Sequence, residues 1–307
     1  MTNERAGRVS KMAGDALRRL PFASGDADDI VALCKAHGGH NYAALLLDLT
    51  SDARGVFLIG GDEGPMLAMT VVDRVRNGGD AAILETLAVR APIDAASFTR
   101  LVIEPALAFV RAGERRALHV PLPPATAPAE GAEGALRAAG FTRLYGYFEM
   151  RRPRSAPAPA APEPLPAGWS WAALDGGRVD DAHAALTAMF RDALGTSVIP
   201  LADFRRAVVS GAASWRMLLD GERIAGLLRT ALHGARGEIG ILGRAPAYRG
   251  RGLGARLVAE GLRVLRVGGA ADIDIGVETA NERALELYLA FGFEILTRTP
   301  VFGLTLR

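Results

Sequence analysis

The sequence predicts a mixed α/β (α+β) protein built of two tandem domains, and three observations predict it. The chain has 307 residues, half of them hydrophobic, enough for two cores of ordinary size. A Pro- and Ala-dominated stretch at 153–167 cuts it nearly in half. In the second half strands come first and a strand–helix–strand unit follows, the order of a mixed sheet with helices packed on it.

The elements of the second half are read in order. Residues 169–174 form a strand, and 178–194 a helix with Ala182, Ala185, Leu186 and Met189 on one face. A second helix covers 201–210. Residues 215–219 and 222–232 form a hairpin that turns at Asp220-Gly221, a strong turn dipeptide. A strand at 238–244 then leads into a glycine-rich turn, a helix to about 267, a strand at 273–277, a helix from 281 and a last strand at 299–306.

The first half repeats the later part of this order. Arg90-Ala91-Pro92 recurs as Arg244-Ala245-Pro246. Helices at 97–111 and 133–140 alternate with strands at 117–121 and 144–151, and Gly140-Phe141 mirrors Gly292-Phe293. The expected boundaries are 1–152 for the first domain, 153–167 for an extended, semi-rigid linker, and 168–307 for the second domain.

Composition excludes several classes of function. Lys plus Arg is 36 against 34 Asp plus Glu, so there is no electrostatic case for nucleic-acid binding. The lone cysteine, Cys34, cannot form a disulfide within the chain, and its amphipathic surroundings suit a packed thiol. The histidines at 37, 40, 119, 183 and 233 lack ligand spacing, so no metal is expected. With no secretory apolar region and no run of 18 apolar residues, the expectation is a soluble, cytoplasmic protein away from membranes.

The segment that carries chemistry runs from Arg244 through Ala245-Pro246-Ala247-Tyr248-Arg249-Gly250-Arg251-Gly252-Leu253-Gly254. It places a glycine-rich turn between a strand and a helix. Unpaired amides and the positive dipole end make a helix N-terminus suited to phosphate. Glycines permit close backbone approach, and Arg249 and Arg251 add charge. A Rossmann fingerprint lacks its third glycine here, and the P-loop Gly-Lys-Ser/Thr is absent.

Arg249-x-x-Gly252-x-Gly254 resembles the Gln/Arg-x-x-Gly-x-Gly/Ala motif of the GNAT superfamily of N-acetyltransferases. Asn281-x-x-Ala284-x-x-Leu287-Tyr288-x-x-x-Gly292-Phe293 resembles that superfamily's second signature, in the right order and covering the second half. The resemblance implies tandem GNAT-like domains, each a mostly antiparallel central sheet flanked by helices, and acetyl-CoA as co-substrate. It implies that Arg249, Gly250, Arg251, Gly252, Leu253 and Gly254 cradle the pyrophosphate. Leu242, Gly243 and Arg244 would present backbone amides to the thioester and pantetheine where the strand splays. Asn281 would lie by the pantetheine or cap the following helix, two roles left equal. Tyr288 would protonate the leaving thiolate, or else be a core aromatic. Glu238 is the candidate general base, with a surface strand-edge carboxylate as the bland reading. His233 is the other candidate base, though its position suits an exposed hairpin tip better.

Carried onto the first half, the loop falls on Ala95, Phe98 and Arg100, and the second signature on Ala129 and Leu136. Side chains of that size would block a pyrophosphate. The first half is therefore expected to be a degenerate domain that keeps the fold and has lost the loop. The implied function is transfer of acetyl from acetyl-CoA directly to a primary amine, small molecule or peptide, in a ternary complex, by a monomer or homodimer. The competing reading is an acyl-CoA-binding regulatory module without transferase activity.

Overall fold

The computed structural model describes residues 18–20, 54–61, 64–76, 79–89, 93–113, 115–122, 129–159, 164–193, 198, 200–211 and 213–306. Cys34, His37, His40 and the first Arg-Ala-Pro tripeptide lie outside these residues. Two compact units divide the chain: 1–74, 78–144 and 299–307 form one, and 75–77 with 145–298 form the other.

In unit one, β1 (Arg18–Leu20), β2 (Arg54–Gly61), β3 (Gly64–Arg76), β4 (Gly79–Val89) and β6 (Ala117–Pro121) lie side by side in that order. β4 and β6 run parallel, which requires a crossover between them. That crossover holds a short strand, β5 (Ile93–Asp94), and a helix. The helix begins as α1 (Ala95–Phe98), loosens into a π turn (Thr99–Ile103) and continues as α2 (Glu104–Ala112). Strand β7 (Ala129–Glu130) pairs with β5 and leads into α3 (Ala132–Ala138). Phe98, Ile103, Leu118, Leu136 and Phe302 fill the core of the unit.

In unit two the sheet order is β8 (Thr142–Arg152, from Tyr145 onward), β13 (Asp272–Glu278), β12 (Arg236–Arg244), β11 (Arg223–His233), β10 (Ser214–Asp220) and β9 (Trp169–Ala173). All pairs are antiparallel except β12–β13. Strand alternation separates two apolar layers. Leu228, Ile239, Ile273 and Ile275 face α6 (Leu253–Val267) and α7 (Glu282–Ala290). Trp215, Met217 and Leu227 face α4 (Val179–Met189) and α5 (Leu201–Val209).

The units do not part at the Pro/Ala-rich segment, which corrects the boundaries at 152 and 168. Strand β8, assigned from sequence to the first domain, supplies the antiparallel neighbour of β13 from Tyr147↔Glu278 to Arg152↔Ile273. The end of β14 (Glu294–Thr305), assigned to the second, pairs with β6 from Val301↔Pro121 to Thr305↔Ala117. Strand pairing is a long-range choice that linker composition does not encode. The segment is also not a free spacer at its described ends. Arg152, buried, donates to the carbonyl oxygens of Phe291 at 2.8 Å, of Ala156 at 3.3 Å and of Pro157. Arg266 holds the carbonyl of Pro153 at 3.3 Å, and Arg256 that of Pro164 at 3.0 Å.

Candidate active site

The site is built where β12 and β13 separate. They pair in parallel from Arg236↔Asp272 to Ile239↔Ile275 and no further. Beyond that point β12 continues to Arg244 on its other partner, β11, while β13 stays on β8 up to Glu278. Alternate amides of residues 240–244 therefore face a fork, not a strand. A bulge between Arg229 and Thr230 shifts the β11–β12 register at Gly240, and bulges bend a strand and break its ladder. Leu242, Gly243 and Arg244 lie beyond the last β12–β13 pair. Leu242 packs on the α6 side, and Gly243 lies where a Cβ would stand 2.8 Å from Met189 Sδ.

At the end of β12, Pro246–Tyr248 makes a 3-10 turn and the chain enters α6 through Gly250 (φ 81°) and Gly252 (φ 70°). Both left-handed conformations suit glycine, and a Cβ at either would meet open space. Gly252 is the N-cap and offers no side chain to the first amides of α6. Leu253, buried, anchors the helix start. Gly254 is set apart from these two by its packing. It faces the protein interior, where a Cβ would lie 3.0 Å from Leu287 Cδ2 and 3.6 Å from Arg244 Nη1. It lets α7 and the Arg244 side chain approach α6.

The loop is braced from behind. Tyr248 donates to Asp220 Oδ2 at 3.0 Å, stands edge-on to Trp169 at 5.5 Å, and carries the Arg251 guanidinium 5.3 Å over its ring. Arg249 is half exposed, with Asp192 Oδ2 3.6 Å from Nη2, a contact of little strength at a surface.

Tyr288 on α7 is buried against Phe293, their ring centroids 5.9 Å apart. Burial pushes its phenol up to about 12, against a smaller opposing pull from the Arg244 guanidinium. The phenol is neutral at any physiological pH. Among the described residues its hydroxyl has no hydrogen-bond partner. Arg244 Nε is itself buried without one, a cation left over beside the phenol.

Asn281 takes the capping role: its side chain accepts from Ala284 N at 3.3 Å, at the N-cap of α7.

Glu238 projects from the face of β12 opposite α6. Ala231 is its direct partner on β11, so Arg229 and His233 are its diagonal neighbours on the same face. Its Oε1 is 3.4 Å from Arg229 Nη1, and its Oε2 is 3.5 Å from His233 Nε2. Burial alone would raise its pKa; His233 and Arg229 outweigh that and hold the carboxyl below its ordinary value. The exposed-tip reading of His233 is corrected here. It ends β11 paired with Arg236, with a side chain only 31% exposed and aimed at Glu238. Arg229 was not picked out from sequence. Its place two residues diagonally from Glu238 follows once the hairpin register is known.

The helix start in unit one is closed by its own chain. Asp94 caps α1, accepting from Ser97 N at 2.7 Å, and that bond holds its carboxyl below the usual range. Phe98 is fully buried in the core. A carboxylate thus occupies the amides that α6 leaves open. The signal was present as Asp-x-x-Ser, an ordinary N-cap pattern. Among the described residues no group of His, Cys, Asp and Glu could hold a metal, and no helix is long and apolar enough to cross a membrane.

A strand thus forks from its parallel neighbour and runs through a glycine turn into a helix with no side-chain cap. Residues 181–293, all in this second unit, match the Acetyltransferase (GNAT) family. Among solved structures, a GCN5-related N-acetyltransferase from Sphaerobacter thermophilus shares the fold over 95% of this chain and 96% of its own, with TM-score 0.66 and 15% identity. A tandem GNAT protein from the clavulanic acid biosynthesis pathway does so over 94% and 98%, with TM-score 0.63 and 17% identity. Relatives in sequence include mycothiol acetyltransferases. That of Frankia alni is 33% identical over 199 residues, 59% of this chain and 57% of the relative. That of Thermobispora bispora is 33% identical over 165 residues, 50% and 55% respectively. The chain thus matches a little over half the length of each.

Proposed function

We propose that the chain is an N-acetyltransferase that binds one acetyl-CoA at its second unit and passes the acetyl group directly to a primary amine. The observation that carries this is the β12–β13 fork leading into an uncapped α6. The diphosphate would sit on the amides around Gly250, Gly252, Leu253 and Gly254, with Arg249 and Arg251 at its edge. The pantetheine would run along the free amides of residues 240–244, which polarise the thioester carbonyl.

Glu238, ionised and next to Arg229 and His233, accepts the proton of the ammonium directly or through water. The amine nitrogen bonds to the acetyl carbon, the carbon–sulfur bond breaks, the nitrogen sheds its second proton through water to the departing thiolate, and the thiolate takes a hydrogen bond from Tyr288. Full proton transfer from a phenol near 12 to a thiolate near 8.5 is uphill, so Tyr288 acts first as a hydrogen-bond donor to developing charge. No covalent enzyme intermediate is needed. The mycothiol acetyltransferase relatives support acetyl transfer; the acceptor here is a small molecule or peptide amine.

The test is calorimetry with acetyl-CoA, followed by thiol release across an amine panel. One binding site per chain and amine-dependent release are expected. Two sites, or none, would sink the reading. Binding without release for any amine would favour a regulatory acyl-CoA-binding module.

A further inference from the structure

Arg244 ends β12 with a charge that the fold leaves unanswered. It stands two residues beyond Leu242, so strand alternation turns its side chain to the α6–α7 layer, while Gly243 between them meets Met189 and Phe190 on the other face. Its Nη1 reaches the first turn of α6, 3.6 Å from where a Cβ on Gly254 would stand, and Leu287 of α7 is 3.0 Å from the same point. Tyr288 is the next residue of α7, and among the described residues Arg244 is the one charge that acts on its phenol. Arg244 Nε is enclosed without a hydrogen-bond partner, and among the described residues no carboxylate pairs with the guanidinium. A cation at the first turn of a helix faces the positive end of the helix dipole, and this one is half-buried and short of hydration as well. An anion arriving beside it offsets both costs. Arg249 and Arg251 are exposed on the outer side of the loop, where the diphosphate would lie. Arg244 is on the inner side, between α6 and α7.

We propose that Arg244 is the counter-charge of the coenzyme A thiolate, acting with Tyr288 on the sulfur as the acetyl group departs. The inference rests on acetyl transfer as read above. When the carbon–sulfur bond breaks, the electron pair stays on sulfur, and the charge that develops there meets a guanidinium already in place. Tyr288 supplies a neutral hydrogen bond and Arg244 a positive field, and neither changes its protonation state. The thioester carries no charge at sulfur, so the guanidinium adds little to acetyl-CoA affinity and acts on the leaving group.

The experiment titrates the thiol of bound coenzyme A on the full chain by thiolate ultraviolet absorbance, with the desulfo-coenzyme A complex as blank. The bound thiol is expected to titrate at least about one unit lower on the wild type than on Arg244→Gln, with Arg244→Lys recovering part of the shift. With any amine that is turned over, Arg244→Gln should lower kcat by about tenfold and leave acetyl-CoA affinity by calorimetry within about twofold. The unliganded Arg244→Gln chain should melt no lower than the wild type, since it loses a cation without counter-charge. A bound thiol that titrates alike on wild type and Arg244→Gln overturns the proposal alone. So does an equal loss of affinity for acetyl-CoA, coenzyme A and desulfo-coenzyme A, which would assign the cation to the diphosphate. A lower melting temperature of Arg244→Gln would make the residue structural and overturn it too. No binding of any of the three by the wild type overturns the cofactor reading and this proposal with it.

Discussion

Tyr288 is the residue whose environment speaks most directly about chemistry. A phenol pushed up to about 12 cannot serve as a base at neutral pH, but it can donate to a thiolate. Tyr288→Phe is expected to lower kcat by about 10²-fold, the lower end for a lost proton donor, and to leave acetyl-CoA affinity unchanged in calorimetry. A second consequence concerns stability. The folded pKa is raised, so the stability tied to the neutral phenol is complete below pH 10 and is lost as pH rises toward 12. Between pH 9 and 12 the wild type should lose about 2–3 kcal/mol more than Tyr288→Phe in denaturant unfolding. Equal losses would mean that the phenol is not buried as described. Glu238 behaves oppositely. Its pKa is lowered, so its ion pairs contribute above the ordinary carboxylate range and are lost in acid, as pH falls through its folded value. The acid limb of any pH–rate profile near neutrality should therefore report the acceptor's ammonium and not Glu238.

At the scale of elements, the three glycines of the loop separate into two kinds. Gly252 has a left-handed backbone with open space beside it, and Gly254 has ordinary helix geometry and crowded surroundings. Gly252→Ala should cost about 1–2 kcal/mol of strain and should weaken acetyl-CoA binding as the helix entry shifts. Gly254→Val must push Leu287 away and should lower stability by about 1–3 kcal/mol, loosening α7 against α6. Thermal unfolding alongside calorimetry distinguishes them. If both variants lose binding with unchanged melting temperature, the packing role of Gly254 is wrong. The motif spacing alone treats these glycines as equivalent, because a pattern of residue types does not record which neighbour each one meets. The start of α1 makes the same point from the other side. Phe98 marked the first-half loop as blocked, but the Asp94 carboxylate that occupies its amides became evident only in the cap geometry.

At the scale of the molecule, the strand assignments decide what can be cut. A chain reduced to residues 168–307 keeps every motif but loses β8, leaving one edge of β13 without its antiparallel neighbour. It also frees residues 301–305 from β6. Bare edges of this kind aggregate. Such a fragment is expected to be insoluble or to unfold without a cooperative transition by circular dichroism. A soluble, cooperatively folding fragment that binds acetyl-CoA would refute that expectation.

The order of elements, the Arg249–Gly254 turn at the start of a helix and the place of Tyr288 on the next one follow from local pattern. Apolar periodicity, turn dipeptides and glycine spacing act over a few residues, so a linear reading reaches them. The pairing of β8 with β13, the end of β12–β13 pairing at Ile239, the guanidinium of Arg229 over Gly240 and the aim of His233 at Glu238 were decided only by tertiary structure. Each depends on which strands meet and in what register, and register is set by the packing of whole sheets against helices. The sequence alone determined that a glycine turn opens the helix after β12. The fold decided which side chains wait on the far side of the fork.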